Sequence, residues 1–228
     1  QGRFVKYTLM GDEARAKFGG ADYRYRYVSD GGHFENTGAY ALLRERTRLI
    51  VLSDAGADPD YGYNDLENLV RKARIDLLAQ IRFLDDAQLK QLGLSQFGSL
   101  EQLKDPQSDA CIALARVDYA DEPGDPGANR FGWIVYVKPN LFSGAPVDLR
   151  NYARDHRPFP QEPTTDQFFS ESQWESYFML GRVLGLELDR TVLDRLAQAD
   201  PAGLAPAAVL QQAPAQGNAD APVPRPAA

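Results

Sequence analysis

Cysteine is almost absent from this chain. Cys111 is the single copy in 228 residues, which excludes an intramolecular disulfide and a cysteine-built zinc site. Histidine is nearly as scarce: His33 and His156 are too few for a histidine-rich metal centre. Positive charge is in deficit, with 25 Lys and Arg against 32 Asp and Glu and a net charge of −7. That balance argues against a nucleic-acid partner, because phosphate binding needs clustered cations. No apolar run approaches the roughly 18–20 residues of a membrane-spanning helix. The chain opens on Gln1 rather than Met and shows no signal-peptide pattern. It is expected to be a fragment, with any targeting segment and any missing half of a site upstream.

What is present is core material. With 43% hydrophobic and 11% aromatic residues the chain can bury a substantial interior. Cys111, in the apolar run Ala110-Cys111-Ile112-Ala113-Leu114, reads as a small buried hydrophobe rather than a nucleophile. Tyr23-Arg24-Tyr25-Arg26-Tyr27 alternates with the two-residue period of a strand, and a short helix is expected over residues 37–46. Arg48 to Ser53 reads as a strand buried on both faces, and residues 64–83 as one long amphipathic helix. Strand, helix, strand, helix predicts an α/β fold with a mostly parallel sheet covered by helices.

The second half differs. Residues 110–119 and 131–138 read as two strands that could form a hairpin across a Gly, Pro and Asp-rich link. Pro158, Pro160 and Pro163 break the chain before helices over 171–188 and 189–199. Phe168, Phe169, Trp174, Tyr177 and Phe178 are expected to pack as a core stripe, the other readings being an acyl-chain pocket or a membrane contact. From residue 200 to Ala228 the chain is almost all Ala, Pro, Gln and Gly, and is expected to be a disordered tail.

The densest chemical signal is Asp30-Gly31-Gly32-His33-Phe34-Glu35-Asn36-Thr37-Gly38, a carboxylate after a strand, then glycines and a helix start. Open α/β sheets place ligands at such a point. The glycines would let the backbone turn and approach a substrate, and a helix N-terminus would help keep Asp30 ionised for work as a base. The same three residues also make an ordinary turn.

Ser29 to Gly38, followed by Arg48-Leu49-Ile50-Val51-Leu52-Ser53-Asp54-Ala55-Gly56-Ala57-Asp58-Pro59, resembles the C-terminal part of the catalytic domain of bacterial patatin-like phospholipases. Asn151-Tyr152-Ala153-Arg154 through Phe159-Pro160, and Thr165 through Tyr177, are similar to a stretch of the same large proteins, so that the resemblance spans Tyr23 to Gly185. It implies a three-layer α/β/α fold over residues 1–199, with the low-complexity tail at 200–228. It also implies a lipid acyl hydrolase that acts on a lipid or ester substrate with a Ser-Asp dyad and needs no metal or cofactor.

In that family the aspartate of the Asp-Gly-Gly motif activates a serine held in a Gly-x-Ser-x-Gly turn. Asp30 maps onto that aspartate; Gly31, Gly32, His33, Asn36 and Asp54 are the expected substrate-binding or supporting residues. No Gly-x-Ser-x-Gly occurs here, and Ser95, in Gly93-Leu94-Ser95-Gln96-Phe97, lacks the second glycine. The serine and oxyanion hole are therefore expected in a missing N-terminal part of the catalytic domain, as is any membrane-surface contact. The alternative is a non-catalytic binding or regulatory module on the same fold. Asp54, Asp58 and Asp60 lack the complete calcium-loop pattern and read as a turn. His156 reads as a surface residue.

Overall fold

The computed structural model describes residues 30–94, 96–105, 108–121 and 129–199. The expected strand at 23–27, Ser95 and the tail lie outside these residues. Within them the chain is mixed α/β, with seven α-helices and a four-stranded sheet. The elements run α1 (Ala39–Arg44), β1 (Leu49–Ser53), α2 (Asn64–Asp76), β2 (Gln80–Phe83), α3 (Asp86–Gln91), α4 (Leu100–Lys104), β3 (Ile112–Asp118), β4 (Phe131–Val137), α5 (Val147–Asp155), α6 (Glu171–Leu186) and α7 (Arg190–Gln198), after a 3-10 turn at Gly31–His33. No helix among the described residues is long and apolar enough to cross a membrane.

The sheet order is β1-β4-β3-β2. β1 pairs parallel with β4, whereas β4–β3 and β3–β2 are antiparallel. The expectation of a mostly parallel sheet is corrected: one pairing of three is parallel. β1, β2 and β4 do share one direction, and β3 alone runs against them. Because β3 lies between β4 and β2, that single strand reverses two pairings. The hairpin expected from residues 110–119 and 131–138 accounts for this, since β3 and β4 pair antiparallel with Ile112 opposite Val137 and Asp118 opposite Phe131.

Alternation along the central strands feeds two cores. Ile112, Leu114, Trp133 and Val135 face one layer with Leu149, Leu180, Leu184 and Leu196 from α5, α6 and α7. Ala113, Ala115, Ile134 and Tyr136 face another with Leu43, Leu66, Leu69 and Leu103 from α1, α2 and α4. β1 departs from the expected burial on both faces: Ile50 and Leu52 are buried, but Val51 is half exposed. In the described sheet β1 is an edge strand, and the face that carries Val51 is only partly covered.

The helix expected over 64–83 ends at Asp76. Leu77 N–H and Ala79 N–H both donate to the Ala73 carbonyl, with Leu78 left-handed at φ 52°, which closes the helix without a glycine. Ile81, one of the apolar residues assigned to the helix, instead faces the core from β2. A short apolar run after a helix carries no mark of where the period changes. On β2 and β3 the cations Arg82 and Arg116 stand directly opposite one another, and both are neutralised by Asp118.

The aromatic stripe is corrected in part: Tyr177 packs against the core beside Phe159 and Phe169, but its aromatic neighbours on α6 do not. The core-facing residues of that helix are Gln173, Ser176, Leu180 and Leu184. Trp174 and Phe178 point outward at 65% and 55% exposure, and Phe168 is almost wholly exposed. Spacing marks a face but cannot say which of two faces the sheet covers.

Candidate functional site

β1 and β4 are parallel, so their C-terminal ends reach the same edge of the sheet, where β3 begins. Asp54 N–H extends the ladder to the Val137 carbonyl, and Lys138 N–H donates to the Cys111 carbonyl. At this junction three polar side chains meet inside the protein. Lys138 is 1% exposed, Asp54 8% and Tyr136 fully buried. Tyr136 OH donates to Asp54 Oδ2 at 2.6 Å, and Lys138 Nζ lies 3.3 Å from Asp54 Oδ1. Lys138 Nζ also donates to the Gly56 carbonyl at 3.0 Å, while Gly56 N–H donates back to Asp54 Oδ1 at 3.1 Å. A buried carboxylate beside an ammonium is tolerated when further donors meet it, and here both oxygens of Asp54 accept a hydrogen bond besides the Lys138 contact. Burial, and then the Asp54 carboxylate as acceptor, push the Tyr136 phenol well above its ordinary value, so it stays a donor.

Asp30 stands apart from that network. Its side chain is exposed, and Oδ1 accepts Gly32 N–H at 3.2 Å, which starts the 3-10 turn. His33 Nδ1 approaches the Asp30 carbonyl at 3.3 Å, so this histidine anchors the turn. Gly31 and Gly32 do not use left-handed backbone. At Gly32 a Cβ would come within 3.1 Å of Asn36 Oδ1, so a side chain there would press on Asn36. At Gly31 the space is open.

A buried carboxylate that sequence reasoning left without a role sets the course of this loop. Glu35 Oε1 accepts Thr37 N–H at 2.6 Å and Oε2 accepts Tyr40 N–H at 3.3 Å, at the start of α1. The negative charge at that helix N-terminus is Glu35, whereas Asp30 caps only the 3-10 turn.

Helix α2 grips the loop along one polar stripe. Asn36 Nδ2 donates to Asp65 Oδ2 at 2.8 Å and Asn68 Nδ2 to the Phe34 carbonyl at 3.0 Å. Lys72 Nζ sits over the Phe34 ring at 3.9 Å, and Tyr40 OH donates to Asp76 at 3.3 Å. Positions 65, 68, 72 and 76 follow helical spacing, beside the buried stripe of Leu66, Leu69 and Ala73. A Cβ on Gly56 would meet both Asp54 Oδ1 and Asp65 Oδ2. Asn36, Asp65, Gly56 and Asp54 are therefore neighbours in turn, and the Asp-Gly-Gly loop and the Asp54 loop lie side by side. Of the expected residues, the structure gathers Asp30, Gly31, Gly32, His33 and Asn36 in one loop and sets Asp54 in the network behind it.

Lys138 and Tyr136 escaped sequence reasoning. The available signal was a lysine directly after seven strand residues with six buried. Asp58 serves its own loop: its carboxylate accepts Gly62 N–H at 2.8 Å and Tyr63 N–H at 2.9 Å. Among the described residues no group of three or more His, Cys, Asp or Glu could hold a metal. The Cys111 thiol is buried and pushed up to about 12, chiefly by desolvation, which makes it inert at neutral pH. A Ser-Asp contact does exist at Ser143 and Asp109, but Asp109 takes both Ser143 Oγ and Ser143 N–H at 2.6 Å and so ties a loop.

Fold and site together define a mixed α/β protein with an exposed turn aspartate in front of a buried Asp-Lys-Tyr network. No family model, curated protein or solved structure matches the chain.

Proposed function

We propose that this chain belongs to a patatin-like serine acyl hydrolase and contributes its general base, Asp30. What carries the reading is the state of that side chain: exposed, with Oδ1 held by Gly32 N–H and with Oδ2 taking no hydrogen bond among the described residues. A base must reach the proton it removes, and an aimed but uncovered carboxylate oxygen suits that task. The likeness of Ser29–Gly38 and Arg48–Pro59 to the patatin-like motifs supplies the reaction class, and the finer reading of the fold as a patatin-like three-layer α/β/α domain rests on it too.

In this reading a serine from the missing N-terminal part lies against Asp30. Asp30 Oδ2 takes the hydroxyl proton as the serine oxygen attacks the ester carbonyl. Backbone N–H groups upstream hold the tetrahedral oxyanion, the alcohol leaves with the proton, and water then releases the acyl group by the reverse proton path. Asn36 and Glu35 position the loop and do not touch substrate. The Asp54–Lys138–Tyr136 network is the rigid floor behind it.

The test is ester and phospholipid hydrolysis by the full-length protein that contains this chain. Asp30→Asn keeps the turn acceptor and removes the base, and should lower kcat by about 10²–10⁴-fold with an unchanged melting temperature. Turnover near that of the unaltered protein would end the assignment. Absence of hydrolysis in the unaltered protein, with ligand binding retained, would favour the non-catalytic module.

A further inference from the structure

Among the described residues nothing covers one outward face of helix α6. Trp174, Phe178, Gly181 and Gly185 follow at i, i+4, i+7 and i+11 and so share one narrow stripe, with the aromatics exposed and no atom within 4 Å of where a Cβ would stand on either glycine. Beside it Glu175 and Arg182 occupy the same flank, both exposed, and among the described residues neither has an ion-pair partner. This pattern is complementary to itself. Reversal of the helix about a point between Met179 and Leu180 carries position 174 onto 185 and 178 onto 181.

We propose that two copies of this chain associate through α6, packed antiparallel about a two-fold axis, with Trp174 over the partner's Gly185 and Phe178 over the partner's Gly181. The two-fold operation keeps the same flank on the same side of both helices. It sets Glu175 about 3 Å along the axis from the level of the partner's Arg182, and makes that opposite-charge pair twice. Bare glycine backbone gives each ring a hole, and exposed rings give each hole a knob. A contact of one helix per copy is small beside standard interfaces, so the dimer is weak, with a Kd of about 10⁻⁶–10⁻⁵ M.

Sedimentation velocity of the full chain over a concentration series tests this. A reversible monomer–dimer equilibrium is expected. Gly185→Leu, which has room in the monomer and improves helix propensity, should raise Kd at least about 100-fold with no loss of melting temperature. Glu175→Arg and Arg182→Glu should each weaken the dimer about tenfold, and the double swap should restore it, a rescue that only the antiparallel register supplies. A chain that stays monomeric up to its solubility limit, a dimer indifferent to Gly185→Leu, or a double swap that fails to restore association would overturn the proposal. So would a monomer that co-sediments with phosphatidylcholine vesicles, which would assign the face to a lipid surface.

Discussion

Asp30 and Asp54 begin the same local structure and end in opposite situations. Each is an aspartate whose Oδ1 accepts the N–H of a glycine two residues on, at 3.2 Å for Gly32 and 3.1 Å for Gly56. Aspartate favours such a turn through its side chain, although not at every Asp-x-Gly: in Asp60-Tyr61-Gly62 the glycine N–H goes to Asp58 instead. Beyond it, Asp54 meets Tyr136 of β4 and Lys138 just after it and is buried, whereas Asp30 keeps an open oxygen in solvent. The neighbouring strand, and not the turn, decides whether an aspartate becomes a structural anchor or a group available for chemistry.

Three experiments sharpen that contrast. The largest effect is expected from Lys138→Ala, which strands a buried carboxylate and should cost about 3–5 kcal/mol of stability in denaturant unfolding. Asp30→Ala should cost no more than about 1 kcal/mol, the worth of a cap. Comparable losses at the two positions would erase the distinction. An intermediate loss, about 1–2 kcal/mol, is expected for Glu35→Ala, which leaves Thr37 N–H and Tyr40 N–H without their acceptor. Because Glu35 steers the Asp30 loop into α1, the proposed role of Asp30 as base further predicts that hydrolysis by the full-length protein falls in the same variant even at temperatures where it remains folded. Glu35→Gln, which retains one acceptor oxygen, should recover part of both.

The mildest and most gradual effect concerns pH. Tyr136 and Tyr119 have folded values raised above the ordinary 10.0, with Tyr119 pushed up to about 12 by burial. Folded protein therefore holds protons that the unfolded chain releases above about pH 10. The stability linked to these phenols is complete below pH 10 and declines as pH rises through the folded values. Phenolate absorbance should accordingly lag the unperturbed titration and then rise together with loss of structure. A free titration of all tyrosines at pH 10 in folded protein would contradict the burial of Tyr136 at the foot of Asp54.

Much of the secondary structure was legible because its signals are local. β1, β3 and β4 lie within a residue or two of the apolar runs that announce them, and α6 and α7 begin at Ser170 and Asp189, side chains that accept N–H groups of the first turn. The break at Leu78 was not legible, since a leucine in left-handed backbone follows no residue preference. Nor was the direction of the α6 aromatic stripe: amphipathic spacing identifies two faces, and the competing stripe of Leu180 and Leu184 is shorter in sequence signal yet is the one the sheet covers. At the site, the Asp-Gly-Gly loop could be read from its residues. The Tyr136–Asp54–Lys138 network could not, because Asp54 and its partners are some eighty positions apart and meet only through the β1–β4 register, in which Ser53 lies beside Val137.

By itself the sequence determined what nearest neighbours decide: the turns at Asp30 and Asp54, the helix caps, the alternation that gives β3 and β4 two buried faces, and the poverty of cysteine and histidine. Tertiary structure alone decided the insertion of β3 between β4 and β2, the burial of Lys138 against Asp54, the role of α2 as the clamp on the Asp30 loop, and the exposure of Trp174 and Phe178. The reason is physical. Backbone preferences and caps act within a few residues, whereas desolvation and charge pairing depend on which distant surfaces the chain brings together.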